Sequence, residues 1–260
     1  MKRSFFSALF LIVVSVHQAF ACLNGESIHL STGGIIGQRE EGTIIPYGND
    51  IFFSSVKREL PLMHQKWTKT KDVNYLSDYG LLLVLDGQYD KARDTFLYLE
   101  SIAPDRYSTA ANLGTVYELL GDNGQALAWI SRAVEINPAS HMRSEWLHVK
   151  ILEAKLAGAS AVTSNFLLNT SFGTDALPRT SLPQAKLLKL RDALFYQLNE
   201  RVTFIKPTDA IVAQLLFDLG NVAYLSGAKS EAKIIYRKAK EYGYQNSLLS
   251  SRLSAVSSRR

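Results

Sequence analysis

The sequence predicts an all-α fold: stacked helical hairpins, interrupted by a long loop insertion. The first observation is a pattern written twice at one spacing. Gly80 recurs as Gly114, Gly87 as Gly121, Ala92 as Ala126 and Pro104 as Pro138, each pair 34 residues apart. Phe96 and Ile130, Ile102 and Ile136, and Leu83 and Tyr117 keep the same interval. The second is the placing of small residues. Gly80 and Gly114 fall mid-helix, where Gly costs about 1 kcal/mol relative to Ala, so a side chain there must collide with a neighbouring helix. Ala92 and Ala126 answer them from the second helix. The third is punctuation. Gly87 and Gly121 suit a left-handed helix end, and Pro104 and Pro138 stop the second helices.

On those residues the stretch Val73–Ser140 resembles the tetratricopeptide repeat family. The resemblance implies a tetratricopeptide-like array, an α-α superhelix in which each unit is a helix, a turn and an antiparallel helix. The large residue that the family places early in the first helix is Leu76 in one copy and Ala110 in the next.

The remaining elements follow in chain order. Residues 1–21 read as a signal peptide: Lys2 and Arg3, an apolar run from Phe5 to Val16, and Ala19-Phe20-Ala21 as the cleavage signature. Cys22 follows at once. Its place resembles the lipobox of bacterial lipoproteins, with Ala19 where that family favours Leu and Phe20 where it favours a small residue. The resemblance implies acylation of Cys22 and a membrane anchor; ordinary cleavage with a free thiol is the alternative. Residues 22–50 are rich in Gly, Ser and Thr and read as an irregular arm, with β-like pieces around Ile35-Ile36 and Thr43–Ile45 as the other reading. Residues 51–71 form an amphipathic capping helix, bent near Pro61, and Asp72 N-caps the next helix. Residues 73–140 are the two regular repeats.

Residues 141–206 are a degenerate hairpin. Ser144–Leu156 is its first helix and Gln184–Val202 its delayed second, with 157–183 inserted between them as a loop. Residues 207–246 restore the pattern: Gly220, Gly227, Ala232 and Tyr236 stand for Gly114, Gly121, Ala126 and Ile130, and Pro207 starts the helix. Residues 247–260 read as a frayed, disordered tail.

Charge says little for a nucleic-acid partner. The chain carries 29 Lys+Arg against 24 Asp+Glu, but Lys2, Arg3, Arg252, Arg259 and Arg260 lie in the leader or the tail. The body is balanced and has no basic stripe to neutralise phosphates. A single cysteine excludes an intramolecular disulfide and a cysteine-based zinc site. No catalytic, cofactor or metal constellation is visible. His141 and His148 lack the i, i+4 spacing and the Glu of a zinc-protease helix. Gly33-Gly34-x-x-Gly37 lacks the Lys-Ser/Thr of a phosphate loop.

The resemblance implies a binding groove on the first helices. By register its residues are Asn74, Ser77 and Leu81; Ser108, Ala111, Thr115 and Glu118; and Phe217, Asn221 and Tyr224, with Trp146 on the degenerate unit. Some members of the family hold a partner's C-terminal carboxylate with Lys, Arg and Asn, and this groove offers Asn221 with no Lys or Arg. The expectation is an exported, lipid-anchored scaffold of the cell envelope that binds a protein or peptide, needs no cofactor and is not an enzyme. The loop 157–183 is expected to flank the groove and to be dispensable for folding. The rival readings are an envelope enzyme with its site on 157–183 and His141/His148, and a self-assembling structural module.

Overall fold

The computed structural model describes residues 27–257. The predicted signal peptide and Cys22 lie outside them. Stacked helix pairs make up the body, as the 34-residue period demands. A small antiparallel sheet, β1 (Ser27–His29), β2 (Ile35–Arg39) and β3 (Asn49–Ile51), comes first. Then follow α1 (Phe53–Thr70), α2 (Val73–Leu85), α3 (Tyr89–Ile102), α4 (Tyr107–Leu119), α5 (Asn123–Ile136) and a short turn, α6 (Ser140–Arg143). The second half holds α7 (Glu145–Ala157), α8 (Ser164–Leu168), α9 (Gln184–Phe204), α10 (Ala210–Leu225), α11 (Lys229–Glu241) and α12 (Ser247–Ser257).

The three hairpins α2–α3, α4–α5 and α10–α11 cross in the same way. A Cβ added at Gly80, Gly114 or Gly220 would come within 3.0 Å of Phe96, Ile130 or Tyr236 respectively. The glycine therefore opens a slot, and the large residue one helix on fills it. Asp72 caps α2 through the Asn74 N–H, and Asp122 and Asp209 cap α5 and α10. The cap at Asp209 moves the start of α10 three residues beyond Pro207, where the sequence had placed it. Helices α2 and α10 are apolar around most of their circumference and are buried on most sides.

Three segments depart from expectation. Residues 27–51 are not an irregular arm. Ile28, Leu30 and Ile36 alternate inward and are buried against Val56, Met63, Leu81, Leu82 and Leu85. Strands this short gain their stability from the helices beneath them rather than from their own propensity. Thr43–Ile45 forms no strand, although Ile45 is buried in the C-terminal core. The insertion is not a loop outside the core either. Ala161, Leu167, Leu168 and Phe172 are buried with residues of α7, α9 and α10, so deleting it would open the core. Finally, the tail up to Ser257 is helical. Arg252 on α12 is 0% exposed and donates through Nη2 to the carbonyls of Phe172 and Gly173, 2.9 Å from each. That contact fastens the insertion to the end of the chain.

The sheet is also fastened to α9. The Gly48 N–H donates to Asn199 Oδ1 (3.0 Å) and the Asn49 N–H to Thr203 Oγ1 (2.8 Å), while Asn199 Nδ2 returns a bond to Asn49 Oδ1 (2.9 Å). Residues 150 apart in sequence are thereby tied together.

Candidate functional site

The predicted groove face differs from one repeat to the next. In the first repeat it is covered: Ser77 and Leu81 are fully buried, Leu81 beneath the sheet. They are therefore not partner-binding residues of the free chain. Asn74 stays at the rim and accepts from Arg106 Nη2 (3.0 Å). In the C-terminal repeat it is covered again, by the insertion and by the segment after α11. Phe217 is buried and stacks on Tyr244, with centroids 4.3 Å apart. Asn221 is buried and accepts from the Tyr236 hydroxyl (2.9 Å). Tyr224 is half-buried with Lys229 Nζ over its ring. Ser108 is buried on α4, and Trp146 is 39% exposed; neither lines the cavity described next.

The second repeat is the open one. Ala111, Thr115 and Glu118 line a half-open cavity of about 220 Å³ between α4, α7 and α9. The other helices supply charge that the groove register of the first helices could not show: Glu145 and Lys155 from α7, and Gln197, Glu200 and Arg201 from α9. His148 on α7 and His141 on the left-handed turn before it also line the cavity. Leu119, Phe204 and Ile205 make an apolar wall.

Glu118 is the hub. Its Oε1 lies 2.6 Å from both Arg201 Nη1 and Lys155 Nζ, and its Oε2 lies 2.6 Å from His148 Nε2. Burial alone would raise its pKa, but Arg201, His148 and Lys155 outweigh burial and hold the carboxyl well below the usual range. Glu145 is 2% exposed, with Oε1 paired to His141 Nδ1 and bonded by the Tyr107 hydroxyl (3.2 Å). Burial opposes its ionisation too, and the neighbouring histidines overcome it, so this carboxyl is also held low. His148 is raised: burial and Arg201 disfavour its charge, and the carboxylates of Glu118 and Glu145 prevail. Glu200 goes the other way. Burial pushes it up to about 8 against the opposing bond from Asn49 and the charge of Arg39.

Both histidines are thus committed to carboxylates, and no residue of 157–183 lines the cavity. The site imagined on that insertion is not assembled. Among the described residues no group of His, Cys, Asp and Glu is arranged to hold a metal ion.

The clearest sequence signal that the groove register missed lies two residues before each packing glycine. Asp78, Asn112 and Asp218 occupy one register position, and all three are buried. In the first repeat Asp78 Oδ2 accepts from the Ser31 N–H of the N-terminal sheet (2.7 Å). In the C-terminal repeat Asp218 Oδ1 accepts from the Ser164 hydroxyl of the insertion (2.7 Å). In the second repeat Asn112 lines the cavity.

Against known proteins, residues 107–140 match the family model described as tetratricopeptide repeat. The chain carries a tetratricopeptide repeat. The match coincides with α4, α5 and the turn after them, the unit whose groove face is open. No curated protein matches the sequence. Among solved structures, the fold is similar to a thermophilic tetratricopeptide repeat protein of Thermus thermophilus, at 17% identity over 78% of this chain and 91% of that one, with a TM-score of 0.40. It is similar to a tetratricopeptide repeat protein of Parabacteroides merdae, at 14% identity over 79% and 81%, TM-score 0.39. It is also similar to the TPR2AB domain of yeast Sti1 in its complex with pHSP90, at 14% identity over 79% and 76%, TM-score 0.36.

Proposed function

We propose that this tetratricopeptide-repeat protein is an interaction scaffold that receives a segment of a protein partner at the cavity between α4, α7 and α9. One observation carries the reading. The first and C-terminal repeats each have their groove face covered by a segment of the chain's own making, docked on Asp78 or Asp218, while Ala111, Thr115 and Glu118 on the groove face of the second repeat line an open cavity. What the chain does for itself twice, it leaves for a partner once. The cavity is polar at its base and apolar at its wall, as recognition sites for side chains are. A photo-crosslinking residue in place of Thr115, followed by mass spectrometry of captured proteins, tests this. Capture of a defined partner at Thr115, and not at a crosslinker placed at the exposed Leu97, is the expected result. Equal capture at both positions, or none, refutes it.

The scaffold's place is part of the proposal: export through residues 1–21 and anchoring by acylated Cys22. Support comes from the basic start, the apolar run and the Ala-x-Ala ending directly before the only cysteine. Mass spectrometry of the mature N-terminal peptide should show an acylated Cys22; an intact Met1 or an unmodified Cys22 refutes the anchor.

A further inference from the structure

The chemistry of the cavity narrows what such a segment presents. Every strong cation in it is already committed. Arg201, Lys155 and His148 all point at Glu118 at 2.6 Å. Glu118 holds the place that an incoming carboxylate would need, and displacing it would strand a buried charge. Unused accepting capacity remains on the acids. Glu145 is 2% exposed, and its Oε2 is buried with no hydrogen-bond partner; the nearest cation, His148 Nδ1, stands 3.7 Å away. Glu200 receives one bond, from Asn49 Nδ2 (3.1 Å). A buried carboxylate oxygen without a donor is costly, and a guest that brings a donor relieves it. Beside these acceptors stands the apolar wall of Leu119, Phe204 and Ile205. At about 220 Å³ the space is smaller than the roughly 300–1,000 Å³ of small-molecule sites and suits a single long side chain.

We propose that the cavity receives the basic side chain, arginine or lysine, of the partner segment, its methylene stem on the apolar wall and its cationic head on Glu145 and Glu200. This rests on the scaffold reading and specifies its partner. The stem and head of such a side chain match an apolar wall beside acceptors, and a guanidinium can donate to two carboxylates at once. Arg201 Nε, buried and also without a partner, is left to meet a backbone carbonyl of the same segment. Burial pushes the Glu200 carboxyl up to about 8, and an arriving cation favours its ionised form. The groups around it are Arg39 and Asn49 from the sheet, Glu145 from α7, Glu118 from α4 and Arg201 on its own helix.

The test is NMR titration of the labelled protein with N-acetyl-arginine amide, its uncharged analogue N-acetyl-citrulline amide and N-acetyl-glutamate amide. Saturable shifts of the Thr115, Leu119 and Phe204 amides with the arginine probe alone are expected, with binding weakened at least about tenfold in Glu200→Gln. Glu145→Gln should weaken it further, its fold checked by circular dichroism. A seven-residue peptide with a central arginine should bind more tightly than the amide; equal affinity would assign the cavity to a free small amine and refute the partner assignment. Saturation by citrulline or glutamate, no saturation by arginine, or unchanged binding in Glu200→Gln overturns the inference. A partner captured at Thr115 whose crosslinked segment lacks Lys and Arg overturns this inference alone and leaves the scaffold reading standing.

Discussion

The repeats at 73–102 and 107–136 are alike on one side and opposite on the other. Between their paired helices both use a glycine slot filled by a large residue, Gly80 with Phe96 and Gly114 with Ile130. On the groove face, register-equivalent residues meet opposite fates: Leu81 is fully buried beneath the sheet, and Thr115 lines a cavity. The period therefore encodes how a hairpin closes on itself. What the groove face becomes is decided by segments from elsewhere in the chain.

The largest effect should come from the open face's own hub. Glu118→Ala leaves Arg201, Lys155 and His148 facing one another in a nearly buried place, and a loss of about 3–5 kcal/mol is expected in chemical denaturation. A loss below about 1 kcal/mol would mean that water already screens the cluster. On the covered face Leu81→Ala should cost about 2–5 kcal/mol, because the sheet cannot collapse fully onto the space it leaves. If that variant is as stable as the parent, the sheet is not packed on α2. Arg252→Met tests the cover of the C-terminal repeat. A loss of about 1–3 kcal/mol is expected, with faster proteolytic cleavage within 157–183; unchanged cleavage would show that the insertion holds without its fastening. Smallest of all, Thr115→Ala should lie within about 0.5 kcal/mol of the parent in thermal melts. A larger loss would erase the contrast with Leu81.

Acidity sharpens the same contrast. In the covered repeats burial raises Asp78 to about 6 and Asp218 to about 7, despite the bonds each accepts. Their folded values exceed the ordinary 3.8. The stability they lend is therefore complete below that value and is lost as pH rises through 6 and 7. Glu118 is lowered, so its contribution is complete above the ordinary 4.5 and is lost only as pH falls through its folded value. Asp218→Asn should flatten the decline of the melting temperature between about pH 4 and 7, and a decline as steep as the parent's would assign it to another group.

Much of the fold was legible because it is written in local, periodic terms. The slot glycines, the turn glycines, the Asp72 cap and the restored pattern around Gly220 all act within one hairpin. The sheet was not, since Ile28, Leu30 and Ile36 become a face only when α1 and α2 lie beneath them. Nor was the buried Arg252, which stands between Ser251 and Leu253 in sequence and whose partners are the carbonyls of Phe172 and Gly173. At the site, register points to Thr115 and Glu118, and both line the cavity. It could not supply Arg201, Lys155 or Glu200, because no period links α9 or α7 to α4. The Asp78–Asn112–Asp218 series was visible in the letters, and only the docked Ser31 and Ser164 reveal what that position does.

The bonds from Gly48 and Asn49 to α9 carry a kinetic consequence. A solenoid of repeats is close to one-dimensional, able to nucleate at any unit and to fray from either end. Here Gly48 and Asn49, at the start of β3, bond to residues 199 and 203, on the far side of the regular repeats in sequence, which closes a long loop of chain. Contacts of such long sequence separation slow folding, because the intervening chain must be ordered before they form. Once made, they join the N-terminal sheet and α9 into one cooperative unit, so that one wall of the cavity is held against that sheet.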